Sequence, residues 1–121
     1  LQARDDIAPV LFELKRRFDR VRPSYLDPEL STVIAVPGHP AYPSGHAAEE
    51  YLFAMILSEL NPDNQETYYV SAARVAKNRE IAGVHYKSDT IAGVSLANQF
   101  YELWRREPEA QSLIAQALTE W

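Results

Sequence analysis

Between Pro23 and Ser44 the chain carries Pro28, Pro37, Pro40 and Pro43, with Gly38 among them. Proline lacks an amide N–H and clashes with the preceding helical turn, so this stretch reads as loop. A loop of that length within a compact domain is commonly functional or disordered. The core must then come from the segments on either side, where apolar residues recur at helical spacing. Ile7, Val10, Leu11, Leu14 and Phe18 mark a helix from Asp5 to about Arg20, acidic early and basic late as the macrodipole prefers, with Pro23 ending it. A second helix is expected from Gly45 to Leu60, with Ala47, Tyr51, Ala54, Met55 and Leu57 inward. A third runs from Asp63 to Ala82 and stops at Gly83. A fourth begins near Ser88 as N-cap and reaches about Glu107, and Pro108 opens a last one through Leu118. No strand alternation is sustained, so the fold class is all-α, a compact bundle of about five helices in a single domain over residues 1–121.

Composition excludes several roles. The 46% apolar and 24% charged shares suit a globular chain. The absence of cysteine removes disulfides and thiolate metal sites. No apolar run approaches the roughly 20 residues of a spanning helix, and Leu1–Asp6 lacks the regions of a signal peptide. A net charge of −5 argues against general nucleic-acid binding. Against it stands a basic cluster, Lys15, Arg16, Arg17, Arg20 and Arg22, whose plain reading is a solvated helix face.

Three groups of residues suggest chemistry instead. Lys15 and Arg22 are seven apart, almost two helical turns, so both cations are expected on one helix face. A phosphate dianion needs several donors: arginine grips two oxygens and lysine adds a point charge. Pro43, Ser44, Gly45 and His46 stand at a predicted helix start, where free N–H groups and the dipole favour an anion. There Gly45 permits close backbone approach, Ser44 offers a hydroxyl, and His46 is placed to protonate a leaving oxygen. Arg79 lies shortly before His85 and Asp89, which are four apart and share a helix face. A carboxylate on one imidazole nitrogen fixes the tautomer and frees the other nitrogen for attack.

The ordered pattern Lys15, six residues, Arg22-Pro23; Pro43-Ser44-Gly45-His46; Arg79, five residues, His85, three residues, Asp89 resembles the signature of the type 2 phosphatidic-acid phosphatase and vanadium haloperoxidase superfamily. Its soluble class A non-specific acid phosphatases look most similar. The resemblance implies metal-independent hydrolysis of small phosphomonoesters, with His85 as nucleophile forming a phosphohistidine, Asp89 orienting it, and His46 as general acid. Lys15, Arg22, Ser44, Gly45 and Arg79 would hold the phosphoryl oxygens. No cofactor is implied for a phosphatase; vanadate would be the cofactor of a haloperoxidase, the main alternative, and a non-catalytic anion-binding module is a second. The resemblance also implies a periplasmic or secreted location.

Two departures stand out. Asn78 occupies a position where the family pattern usually has Ser, and only fourteen residues precede Lys15. The chain is therefore expected either to be a C-terminal portion that lacks N-terminal helices of the family fold, or to have its core completed by a partner chain, such as a homo-oligomer. His39 reads as a plain loop histidine, and Tyr25, Tyr42 and Tyr86 as packing around the site. Glu49 and Glu50 suit a helix N-terminus, and Trp104 and Trp121 read as packing or interface residues. No spacing of the three histidines suggests a metal site.

Overall fold

A computed structural model describes residues 2–120, and among them all regular structure is helical. The elements are α1 (Gln2–Phe18), the single turn α2 (Pro23–Leu26), α3 (Gly45–Leu60), a 3₁₀ turn (Pro62–Asn64), α4 (Gln65–Ile81), α5 (Lys87–Trp104) and α6 (Pro108–Glu120). The five long helices stand where the apolar periodicity indicates, and the all-α reading holds. Trp121 lies outside the described residues.

Three local expectations need correction. Pro23 does not end the first helix: α1 stops at Phe18, where Asp19 takes a left-handed conformation with φ of 45°, and Pro23 instead opens α2 at its first position. Pro9 lies inside α1, which begins earlier than expected because Ala3 joins the buried stripe Ala3, Ile7, Leu11 and Lys15. Ser88 is not the cap of α5; Tyr86 holds that position.

α3 is the central element, packed chiefly on α4 and α5, with α1 and α6 closing over it. Ile7, Ala48, Leu52, Met55, Ala97, Tyr101 and Trp104 form the apolar core. Truncating a fully buried side chain such as Leu52 to Ala in such a core costs about 2–5 kcal/mol. Polar ties fix the helix ends: Trp104 Nε1 donates to Asp6 at 2.8 Å, linking α5 to α1, and the Tyr101 hydroxyl donates to Glu59 of α3.

Two chain reversals position the site. At the end of α4, Gly83 N–H bonds the Glu80 carbonyl and Val84 N–H the Arg79 carbonyl, while Gly83 adopts φ of 78°. This is a Schellman turn, and its left-handed residue favours glycine. It swings the chain so that His85 follows directly on the turn of α4 that carries Arg79. At the start of α3, Ser44 caps the helix by accepting from Ala47 N–H at 3.3 Å, and its own N–H bonds the Asp89 carbonyl at 3.0 Å. The beginnings of α3 and α5 are thereby tied together.

Candidate active site

The long loop before α3 has no helix of its own to absorb its carbonyl groups, and two buried cations absorb them instead. Lys15, only 1% exposed, places Nζ 2.9, 3.3 and 2.7 Å from the carbonyls of Pro40, Ala41 and Pro43. Its three protons are matched by three acceptors. Burial, followed by the Arg22 charge, lowers its pKa to about 8. Arg22, equally buried, donates Nε to the His39 carbonyl at 3.1 Å and Nη1 to the Val84 carbonyl at 2.9 Å. The two cations do converge, but not along one helix face as their spacing suggests. Lys15 ends the buried stripe of α1, whereas Arg22 sits in extended conformation beyond the Asp19 reversal, at the cap of α2.

Arg22 also decides the protonation of His85. Its Nη1 lies 3.0 Å from His85 Nε2, and a guanidinium only donates. The Nε2 lone pair is therefore the acceptor, and the ring proton is on Nδ1, which donates to Asp89 Oδ2 at 3.0 Å. Burial, outweighing the contrary pull of Asp89, lowers the His85 pKa and favours the neutral ring. Asp89 is fully buried; Oδ2 also accepts Tyr86 N–H at 2.9 Å, and Oδ1 accepts from Arg20 at 2.7 Å. Burial alone would raise its pKa, but these donors together hold it below the ordinary carboxylate value.

Lys15, Arg22, Gly45, His46, Arg79 and His85 line one cavity of about 360 Å³ between α1, α3 and α4. Its wall thus unites residues from all three sequence groups. Arg79 is among them, and behind the wall its Nε is buried without a hydrogen-bond partner among the described residues. His46 is more open to solvent; partial burial and then the Arg79 charge lower its pKa. Ser44 and Asp89 do not line the cavity. Ser44 spends its lone pair on the α3 cap, and Asp89 stands behind His85. The mouth is edged by Arg4 and Glu49, an ion pair at 3.2 Å, and by Phe12, whose ring meets His39 edge-on at 5.4 Å. A wall of cations around a neutral imidazole with a directed lone pair suits an electrophile that carries several anionic oxygens.

The family model described as the PAP2 superfamily matches residues 7–103, a span that contains all of these side chains. The chain belongs to the PAP2 superfamily. It is similar to a non-specific acid phosphatase of Providencia stuartii, at 33% identity over 81 residues, which cover 67% of this chain and 33% of that protein. It is also similar to a lipid A 1-phosphatase of Rhizobium etli, at 31% identity over 91 residues, covering 72% of this chain and 39% of that protein. The crystal structure of a transmembrane PAP2-type phosphatidylglycerolphosphate phosphatase from Bacillus subtilis shares the fold, with a TM-score of 0.61 at 21% identity over 84% of this chain and 53% of the other. This PAP2 chain spans well under half the length of those two curated relatives. No described helix is long and apolar enough to cross a membrane.

Two residues of this PAP2 site escaped the sequence reading. His39 is more than a loop histidine: its carbonyl accepts from Arg22 Nε, its Nδ1 lies 3.2 Å from Arg22 Nη2, and its ring forms part of the cavity wall. Arg20 holds Asp89 from behind. Both act through the irregular chain around α2, where no periodic spacing announces which side chains meet. Tyr42 and Tyr86 pack against the Arg20 guanidinium beside the site, as expected, whereas Tyr25 is exposed and not packed there.

Proposed function

We propose that this chain hydrolyses small phosphate monoesters without a metal ion, as an acid phosphatase acting through a phosphohistidine on His85. The reading rests on one observation above the others: the lone pair of His85 Nε2 is held by Arg22 at the wall of a cationic cavity, while Asp89 fixes the opposite ring nitrogen. Arg79, which lines the cavity, supplies a cationic donor for phosphoryl oxygens. Arg22 adds a second as its N–H passes from Nε2 to the incoming phosphoryl group. Lys15 contributes charge from the wall, and a direct hydrogen bond would require release of one loop carbonyl. Phosphoryl transfer needs chiefly such positioning and charge, which protein cations supply in this reading.

In the first step His85 Nε2 forms a bond to phosphorus as the ester P–O bond breaks, and His46 gives its proton to the leaving oxygen. The ring keeps its Nδ1 proton, and Asp89 stabilises the resulting positive charge. In the second step water attacks phosphorus, neutral His46 takes its proton, the P–N bond breaks, and free phosphate leaves. His46 must begin protonated although its pKa is lowered in the free protein, so activity is expected to be highest in acid.

The decisive experiment is rapid alkaline quenching during turnover of a phosphorus-labelled aryl phosphate. Label should remain on the chain in acid-labile, base-stable linkage, and His85→Ala should lose both label and turnover while keeping its helical spectrum. Undiminished turnover by His85→Ala would remove the mechanism.

A further inference from the structure

Arg20 lies outside the catalytic cavity, in the segment between α1 and α2, with its guanidinium on the far side of Asp89. Nη1 donates to Asp89 Oδ1 and to Ser88 Oγ, both at 2.7 Å. The guanidinium carbon stands 4.6 Å from the Tyr42 ring centre and 5.4 Å from that of Tyr86, within the range of cation–π attraction to both. The Arg20 carbonyl accepts Ala41 N–H at 2.8 Å, so the backbone beneath the side chain is fixed to the same loop that Lys15 holds. Five contacts on one exposed-edge arginine exceed what a solvated surface residue needs, and the ion pair among them meets the fully buried Asp89 carboxylate.

We propose that Arg20 is a positioning residue for the hydrolysis: it clamps Asp89 from behind, fixes the carboxylate plane against His85, and offsets the negative charge that would otherwise hold a proton on the nucleophile. The inference rests on the His85 reading above. Around the imidazole stand Lys15 of α1, Arg22 at the cap of α2, His46 of α3 and Arg79 of α4, all of which disfavour a second ring proton when charged. Glu49 of α3 is engaged by Arg4, and Asp5 lies at the mouth. Asp89 is the carboxylate bonded to the ring. Without Arg20, its full charge faces His85, the imidazolium is favoured, and less of the neutral nucleophile remains in acid.

The test follows both the pH profile and the ring itself. Arg20→Gln and Arg20→Met, the latter keeping an apolar stem between Tyr42 and Tyr86, are compared with Arg20→Lys and the parent. The acid limb of kcat/KM for an aryl phosphate should move up by about one pH unit in the neutral variants, roughly a tenfold loss well below the limb. Nitrogen NMR should show the His85 titration rising in step, and Arg20→Lys should restore most of it. A uniform loss at every pH with an unmoved His85 titration would overturn the proposal. So would a neutral variant with the parent's profile. The NMR shift does not depend on turnover, so a parent that fails to hydrolyse phosphate esters but shows the shift would sink the phosphatase reading and keep the Arg20–Asp89–His85 coupling.

Discussion

Gly93 of α5 lies so close beneath the start of α3 that a Cβ on it would stand 2.5 Å from the Ser44 carbonyl oxygen and 2.9 Å from Ala47 Cβ. Neither neighbour is the free end of a flexible side chain, so relief would require the helices to part. One turn earlier on α5 is Asp89, whose carbonyl accepts Ser44 N–H. The glycine therefore sets the distance between the helix that anchors His85 and the helix that carries His46. Gly93→Ala should cost about 1–3 kcal/mol by overpacking, lower the thermal midpoint by several degrees, and reduce turnover together with it. A calorimetric midpoint equal to the parent's, with full activity, would refute the packing argument.

Arg22 should matter for geometry as well as for charge. Arg22→Lys keeps a cation but loses the fork that reaches the His39 and Val84 carbonyls and His85 Nε2 together. Turnover is expected to fall by about 100-fold or more, by analogy with removing one preorganised donor at a reacting oxyanion. Nitrogen NMR should still show the Nδ1–H tautomer, because the Asp89 carboxylate accepts that proton. A lysine variant that keeps the parent's rate would show that charge alone suffices.

The helices were largely legible in the sequence because Ile7 and Leu11, like Ala47, Ala54 and Met55, recur at helical spacing and prolines mark boundaries. The convergence of Lys15 and Arg22 was legible too, but for the wrong reason. Spacing suggested one helical face, whereas Asp19 breaks that helix and α2 returns Arg22 to the site. Positive φ at an aspartate has no periodic signature. Nothing in the sequence marks Gly93, since its role depends on the backbone at the start of α3, forty-nine positions earlier at Ser44. The roles of Arg20 and His39 were hidden for the same reason: they are set by loop carbonyls and a distant carboxylate, and no local pattern encodes such meetings.

The histidines make stability depend on pH. Burial leads the causes that push His39, His46 and His85 below the ordinary value of 6.5. Just below that value the unfolded chain binds more protons than the folded one, so stability rises with pH there and is lost as pH falls through the folded values. Each proton fully taken up on unfolding contributes about 1.4 kcal/mol per pH unit. Calorimetry at about pH 6 in buffers of different ionisation enthalpy should record proton uptake on unfolding. Proton release at that pH would contradict neutral, buried imidazoles. Lys15 acts in the same direction at higher pH: with its pKa lowered from 10.5 to about 8, the folded chain should gain stability as pH rises between those values.

Vanadate tests the site and separates its two chemistries. A nucleophile attacking phosphorus passes through five-coordinate geometry, which vanadate adopts readily, so it should bind more tightly than phosphate and inhibit competitively. His85 Nε2 would meet the vanadium, and Arg22 and Arg79 would hold its oxygens, the arrangement proposed for the phosphoryl group. His85→Ala should abolish the tight component, and EDTA should leave hydrolysis unchanged in a reaction that needs no metal ion. Loss of activity in EDTA, restored by a divalent cation, would overturn the metal-independent mechanism. Bromide oxidation with peroxide and added vanadate, in a chain inert toward phosphate esters, would replace the phosphatase assignment with a haloperoxidase. Failure of vanadate to bind at all would leave the cationic cavity without an anion to hold and would count against both enzymatic readings.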